Sequence, residues 1–450
     1  MVPNFLEFKE KIERIFEKAK QHHDGEVASY IPQLARVDPD KFAVSVCTID
    51  GQVIDLGDFE DLSCVQSSCK PINYCLALEE HGLEKVHRHI GHEPSGRSFN
   101  ELSLNSKGLP HNPLINSGAI MACSLIKPKM SIADRFDHVL TTWKKVTNSS
   151  TVGFNNSVYL SERETADRNF ALAYFMRENN AFPEGTDLEK TLEFYFQCCS
   201  IETSTKNLAT LAATLANGGV NPFSNEKVFK SSTIKNCLSL MNSCGMYDYS
   251  GEFSFHIGLP AKSGVSGVVY VVVPNTLGMC IWSPRLDKHG NSVRAVEFCK
   301  ELTKTFLFHN YDSLVTEQQG KINPRLVEEH EAADKVQQLC YAAARGDTQY
   351  IQTLLIRGVD INSKDYDKRS PLHLAVCEGQ FEAVKYLVLH GADLLAKDRW
   401  GRCPLDEVKD CPNQDIKNWV KALSPNLKKQ NKSKSDKTGS KKNRPGSAEA

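Results

Sequence analysis

No apolar run in this 450-residue sequence approaches the length needed to cross a bilayer; stretches such as Phe170 to Met176 and Val268 to Val273 span seven and six residues, so no transmembrane segment is expected. Charge of one sign is equally scarce in the balance: 54 basic against 55 acidic side chains leave −1, which gives no global field for nucleic acid. No Cys-x-x-Cys pair and no Cys/His array at metal-ligand spacing occurs among the fifteen cysteines, so no metal is expected. Several of them, Cys47, Cys75, Cys123 and Cys299, lie inside apolar periodic segments, as small core residues do. Cys198 and Cys199 are adjacent, a poor disulfide, so reduced thiols are the reading. The first 21 residues are amphipathic but rich in Glu, unlike an acidic-poor transit peptide, and a removed upstream segment stays open.

What is present is enough apolar material, 40%, for more than one core in a chain of this length. Residues 5–20 read as a helix, with Phe5, Leu6, Ile12, Ile15 and Phe16 near one face. Phe42 to Asp58 alternates on both sides of Asp50-Gly51, which predicts a β-hairpin. Residues 67–82 read as a buried helix ending at Gly82, and a mostly helical stretch follows over roughly 115–250. Strand pattern returns from Gly258 to Pro284 around a turn at Pro274-Asn275, then Ser292 to Phe306 closes with helical spacing. Strands at both ends of this region bracket the helices, so one sheet assembled from both chain ends is expected.

Residues 311–335 are polar and read as a linker. Beyond them Gly346/Gly379, Leu354/Leu387, Gly358/Gly391 and Pro371/Pro404 each stand 33 apart, and RSPLHLAV and HGAD complete an ankyrin pattern over 336–424. Each helix pair leaves an apolar face that only a neighbouring copy can cover. Two repeats and part of a third are expected, a module suited to docking on the catalytic body or on a protein partner. The tail over 425–450, with eight Lys/Arg against two Asp/Glu, is expected to be disordered.

The chemistry centres on SSCKP, Ser67 to Pro71. Ser67 and Lys70 are three apart, one turn of helix, and a hydroxyl needs a nearby base to become a nucleophile. A lysine serves when burial lowers its pKa toward neutrality. Ser68 has Pro71 three residues on and fails as the nucleophile. By itself Ser-x-x-Lys is a weak signal. AKSGV, Ala261 to Val265, resembles the Lys-Ser/Thr-Gly strand of penicillin-recognising serine acyl-transfer enzymes. There the backbone N–H groups of Ser67 and Val265 would hold the oxyanion, and Lys262 would support the site.

Four further blocks, PHNPLINSGAI (110–120), SERETADRNFALAYFM (161–176), TLANGGVNP (214–222) and SCGMYDYSGEF (243–253), make the chain resemble the glutaminase family, in particular its animal branch with C-terminal ankyrin repeats. The resemblance covers roughly 30–424. It implies an α+β fold: a β-lactamase/DD-peptidase-like catalytic domain, antiparallel sheet plus helical domain, over 1–310, followed by an all-α ankyrin segment. It also implies hydrolysis of L-glutamine to L-glutamate and ammonia, with Ser67 as nucleophile, Lys70 as base and Tyr247 as proton relay. Tyr30, Gln66, Asn116, Glu162, Asn169 and Tyr195 correspond to the family's substrate pocket, joined by Ser67, Tyr247 and Val265. An acidic Glu162 suits the substrate ammonium, while amides and phenols suit its carboxylate. Plainer readings stand beside these: Asn116 as a helix cap, Glu162 on a capped or solvated helix, Tyr195 as core packing, Tyr30 without a site role.

The resemblance further implies a homotetramer built as a dimer of dimers and a mitochondrial setting; a chain that began at Met1 without a transit peptide would instead be cytoplasmic. No cofactor is implied, with inorganic phosphate as the one candidate activator. In the loop after Glu93–Gly96, Glu101 stands where a lysine is expected and Ser103 where some members have phenylalanine. A lysine there would attract phosphate; a glutamate would not.

Overall fold

The computed structural model describes residues 2–312, 320–325 and 328–423. The chain divides into two compact units that meet at Arg325/Leu326. The tail expected over 425–450 lies outside the described residues.

The first unit is organised by a five-stranded antiparallel sheet made of β1 (Ala43–Thr48), β2 (Val53–Gly57), β3 (Ala261–Ser263), β4 (Val268–Val273) and β5 (Leu277–Trp282), in the order β2-β1-β5-β4-β3. As expected, the two chain ends meet in it: β1 pairs β5 from Ala43↔Trp282 to Thr48↔Leu277. The first hairpin loop has four residues, 49–52, and the second three, 274–276. Only Gly51, not Asp50, takes a positive φ in the first, and Asn275 takes it in the second.

The central strands β1, β4 and β5 are buried at every position because both faces are covered. Val268, Tyr270 and Val272 point into one core, while Val269, Val271 and Val273 point into the other. Against the second face pack α1 (Phe5–Lys20) and the C-terminal helix of the unit, Val293–Thr305. Against the first lies the helix Thr205–Ala216, and Gly278 is what lets it come so close. A Cβ there would stand 2.1 Å from both the Ala212 carbonyl carbon and the Ala213 nitrogen. The remaining helices of residues 116–244 build a separate layer around Trp143, Phe194 and Met121. The mixed sheet and helical layer is the α+β arrangement expected.

The boundary differs from the expected end at 310 and linker over 311–335. Ile322 pairs with Phe306 as a parallel bridge. Arg325 Nε donates to Thr276 Oγ1 at 2.8 Å, and Lys321 pairs with Asp312 at 2.8 Å. A mainly polar composition hid these few anchors. The next helix, Glu328–Arg345, begins inside the expected linker.

The second unit consists of helix pairs: Glu328–Arg345 with Thr348–Ile356, Pro371–Cys377 with Phe381–Leu389, and Pro404–Glu407 with 414–423. Leu339, Leu354, Leu372 and Leu387 form its core. His373 accepts from the Ser370 N–H at 3.0 Å through Nδ1 and meets the Arg402 carbonyl at 3.2 Å through Nε2, so one side chain joins consecutive repeats. The third pair makes the partial third repeat more complete than the sequence pattern indicated.

Candidate active site

Ser67 follows the short strand Leu62–Cys64 and sits in a 3₁₀ turn, Gln66–Cys69, that runs into α2 (Lys70–Val86). In a 3₁₀ turn residues i and i+3 eclipse, so Ser67 and Lys70 share a side more closely than on the expected α-helix. Pro71 occupies the first turn of α2, where its missing N–H costs nothing. The helix continues to Val86 through a break at Gly82, past the expected end. Gln66, just before Ser67, has φ 49, and Tyr247 has φ 53. Two non-glycine residues held in the left-handed region beside one hydroxyl are the kind of local strain that clusters at functional sites.

The Lys-Ser-Gly edge closes on this turn from the sheet. A Cβ on Gly264 would stand 2.8 Å from both Ser68 Oγ and the Val65 carbonyl oxygen. Tyr270 donates to the Ser68 carbonyl at 3.2 Å. The segment bearing Tyr247 is clamped to the same strand: Ser263 N–H donates to Gly245 O at 3.0 Å, and a Cβ on Gly245 would fall 1.8 Å from Ala261 O. Among the described residues the N–H groups of Ser67 and Val265 find no backbone acceptor, which leaves both donors for an oxyanion.

Lys70 is fully buried, and burial lowers its pKa to about 8. Its Nζ donates to Asn116 Oδ1 at 2.7 Å, not to Ser67. Asn116 Nδ2 in turn donates to Asn169 Oδ1 at 3.1 Å, and the Tyr195 hydroxyl donates to Asn116 Oδ1 at 3.4 Å. Asn116 therefore does not cap its helix, Asn116–Leu125, although it begins it. Tyr195 is both core and site, buried in the helical layer with its hydroxyl on Asn116.

Glu162 lies in the helix Asn156–Glu164, which Asn155 caps, and it is buried rather than solvated. The Tyr30 hydroxyl donates to Glu162 Oε1 at 2.5 Å and also reaches Gln66 Oε1 at 3.0 Å. The Tyr30 ring is 49% exposed, but its hydroxyl end points inward, and burial pushes that hydroxyl's pKa well up. Burial raises the Glu162 pKa too, offset by the hydrogen bond from Tyr30, the nearby Gln66 amide and the Lys70 charge. Gln66 Nε2 and Tyr247 Oη are buried without a hydrogen-bond partner, two polar atoms a ligand would satisfy. Burial raises the Tyr247 pKa, while the nearby Ser67 hydroxyl and Val265 N–H hold it partly down. Lys262 is buried with Nζ 4.7 Å from the Tyr247 ring centroid, and burial, then repulsion from Lys70, keeps its pKa well below that of a free lysine. The structure thus gathers all eleven expected residues around one point.

Phe99 was not anticipated. Its ring centroid lies 4.7 Å from that of Tyr247 and 6.0 Å from Lys70 Nζ. It belongs to a loop without periodicity, so no sequence pattern singles it out. That loop forms one wall of a cleft of about 470 Å³ whose lining includes Tyr247 and Phe99 but neither Ser67 nor Lys70. In the same loop Arg97 pairs with Glu101 at 2.6 Å. Among the described residues no group of three or more His, Cys, Asp and Glu side chains could hold a metal ion, and no helix is long and apolar enough to cross a membrane.

A five-stranded antiparallel sheet with a helical layer, and a serine and lysine one turn apart beside a Lys-Ser-Gly edge strand, defines the β-lactamase-like class. Within that class, residues 25–311 match the family model Glutaminase, and 295–406 match Ankyrin repeats (3 copies). The chain belongs to the glutaminase family. It is 50% identical over 376 residues to Putative glutaminase 3 of Caenorhabditis elegans, covering 83% of this chain and 64% of that one. It is 46% identical over 375 residues to Glutaminase liver isoform, mitochondrial, of Rattus norvegicus, covering 83% and 62%. The chain thus spans somewhat under two thirds of the length of these animal relatives. A solved probable glutaminase, ybaS, superposes with TM-score 0.63 at 33% identity over 66% of this chain and 95% of that one. Mglu in its glutamate form does so with TM-score 0.63 at 34% identity over 67% and 69%.

Proposed function

We propose that this chain hydrolyses the side-chain amide of L-glutamine to L-glutamate and ammonia through an acyl-enzyme on Ser67. The observation that carries the reading is a fully buried Lys70 with its pKa drawn down to about 8, one turn from Ser67, whose hydroxyl lies next to that of Tyr247. Neutral Lys70, with Tyr247 relaying, takes the Ser67 proton as the oxygen attacks the amide carbon. The oxyanion rests on the N–H groups of Ser67 and Val265. The proton passes to the departing nitrogen, which leaves as ammonia, and water then cleaves the γ-glutamyl ester, restoring the Ser67 hydroxyl. Glu162 accepts the substrate ammonium. Asn116, Asn169, Tyr30, Tyr195 and Gln66 satisfy the rest of the amino-acid head, so ligands lacking either charged end leave buried groups unpaired.

A coupled glutamate assay tests this: glutamine turnover is expected, and turnover of nitrocefin without glutamine would overturn it. Neither a cofactor nor a metal takes part in the proposed cycle. Glu101 neutralises Arg97 in the loop where a phosphate would be sought, so a weak phosphate response is expected; activity with and without phosphate decides. The proposal extends to a dimer-of-dimers tetramer, read by light scattering, and to a mitochondrial setting, read by fractionation. The ankyrin unit is assigned to a protein partner.

A further inference from the structure

Val265 also lines a second, smaller cavity of about 120 Å³, together with Ser63, Asn155, Glu202, Ser266 and Trp282. Apolar side chains such as Leu34 and Val158, and the amide of Gln33, complete its walls. Ser63 and Ser266 are each 8% exposed, and neither hydroxyl has a hydrogen-bond partner. Buried hydroxyls normally find one, because an orphan keeps the full cost of its lost hydration. Glu202, half-buried, accepts one hydrogen bond at Oε2 from Asn155 Nδ2 at 2.9 Å, and among the described residues no cation pairs with it. One uncompensated carboxylate and two idle hydroxyls therefore face the same small space, and all three oxygens can accept.

We propose that this cavity is a binding site for ammonium. The cation has four N–H donors in a tetrahedral fan, of which Glu202 Oε1, Ser63 Oγ and Ser266 Oγ can receive three. A metal cation of similar charge gathers more oxygen ligands than this cavity supplies. Ammonium is also the nitrogen product of the proposed reaction, formed beside the residue that both sites share. That role as a product site rests on the functional reading above; the binding does not.

Thermal melting of the full chain in ammonium, potassium and tetramethylammonium chloride, at equal ionic strength, tests the site without using activity. Ammonium is expected to give a saturable rise in Tm of about 2–3 °C at tenfold excess over its Kd. Potassium and tetramethylammonium are expected to give none. Glu202→Gln keeps the shape and the Asn155 hydrogen bond but removes the charge, and should abolish the rise; the double variant Ser63→Ala/Ser266→Ala should at least halve it. An equal rise with potassium, no ammonium rise in the wild type, or a full rise in Glu202→Gln overturns the proposal. Should Glu202→Gln fail to fold, the serine pair and the ion comparison decide. Ammonium binding in a chain that does not turn over glutamine would sink the functional reading and leave this one standing.

Discussion

The proton on Lys70 is the most exacting point to perturb, because one number governs both rate and stability. Burial takes this side chain from the 10.5 of a free lysine to about 8. About one tenth of chains then carry a neutral Lys70 at pH 7 and about half at pH 8, so kcat/KM for glutamine should rise about 50-fold from pH 6 to pH 8 and level off above pH 9. The stability consequence runs with the same sign. Between pH 8 and 10.5 the unfolded chain binds the extra proton, so folding stability increases with pH across that window, and the charging penalty, about 3 kcal/mol, is fully present below it. Lys70→Met removes that penalty while leaving Asn116 Oδ1 only the longer Tyr195 hydrogen bond, a loss of about 1 kcal/mol. The variant should therefore melt no lower than the parent at pH 7 while losing about 10³-fold or more in activity. Lys70→Arg, charged at every accessible pH, should be inactive and less stable. The assays are a pH–rate profile from 5.5 to 9.5 and melting at pH 7 and 9.5. A flat profile between pH 6 and 9, or a Lys70→Met protein that keeps the rising limb, refutes the assignment of the base.

Four more expectations follow from particular contacts. Ser67→Ala should cut ammonia release about 10⁴-fold or more while calorimetry still detects glutamine binding; turnover near the parent level contradicts the nucleophile. Glu162→Gln should raise KM about 10- to 100-fold with a smaller effect on kcat. Since burial raises the Glu162 pKa, parental KM should climb as pH falls through a range above that of an ordinary glutamate, and the glutamine variant should lose that dependence. Phe99→Ala admits water next to Lys70 and should move the acid limb of the rate profile to higher pH; an unmoved limb would show that Phe99 plays no part in keeping the lysine dry. Gly278→Ala forces a methyl into the helix backbone at 2.1 Å and should cost at least the roughly 3 kcal/mol upper end of overpacking, read as soluble yield and Tm.

Much of this protein is legible in local pattern. Both hairpins announce themselves through alternation around turn residues, the amphipathic helix at Phe5–Lys20 through its period, and the repeats through a fixed spacing of 33. The Ser67/Lys70 pair is visible because it is local, three residues apart and eclipsed by a 3₁₀ turn. The remaining site residues became visible through long blocks shared with a family, not through any property of the residues taken singly. Asn116 illustrates the limit: its sequence context suits a helix cap equally well, and only the approach of α2 gives its side chain a lysine to hold. Phe99 and Ile322 stayed hidden for a related reason. Each is one apolar residue in a polar stretch, and its significance comes from what the rest of the chain brings beside it.

Sequence alone therefore determined the elements, the repeat unit and the candidates for the reacting groups, because these depend on neighbours along the chain. Tertiary structure alone decided that Lys70 is dry, that Glu162 meets Tyr30 across 132 residues, and that the Ser67 and Val265 N–H groups are left without backbone partners among the described residues. Desolvation and hydrogen-bond satisfaction are properties of packed space, and packed space is set by segments far apart in the chain.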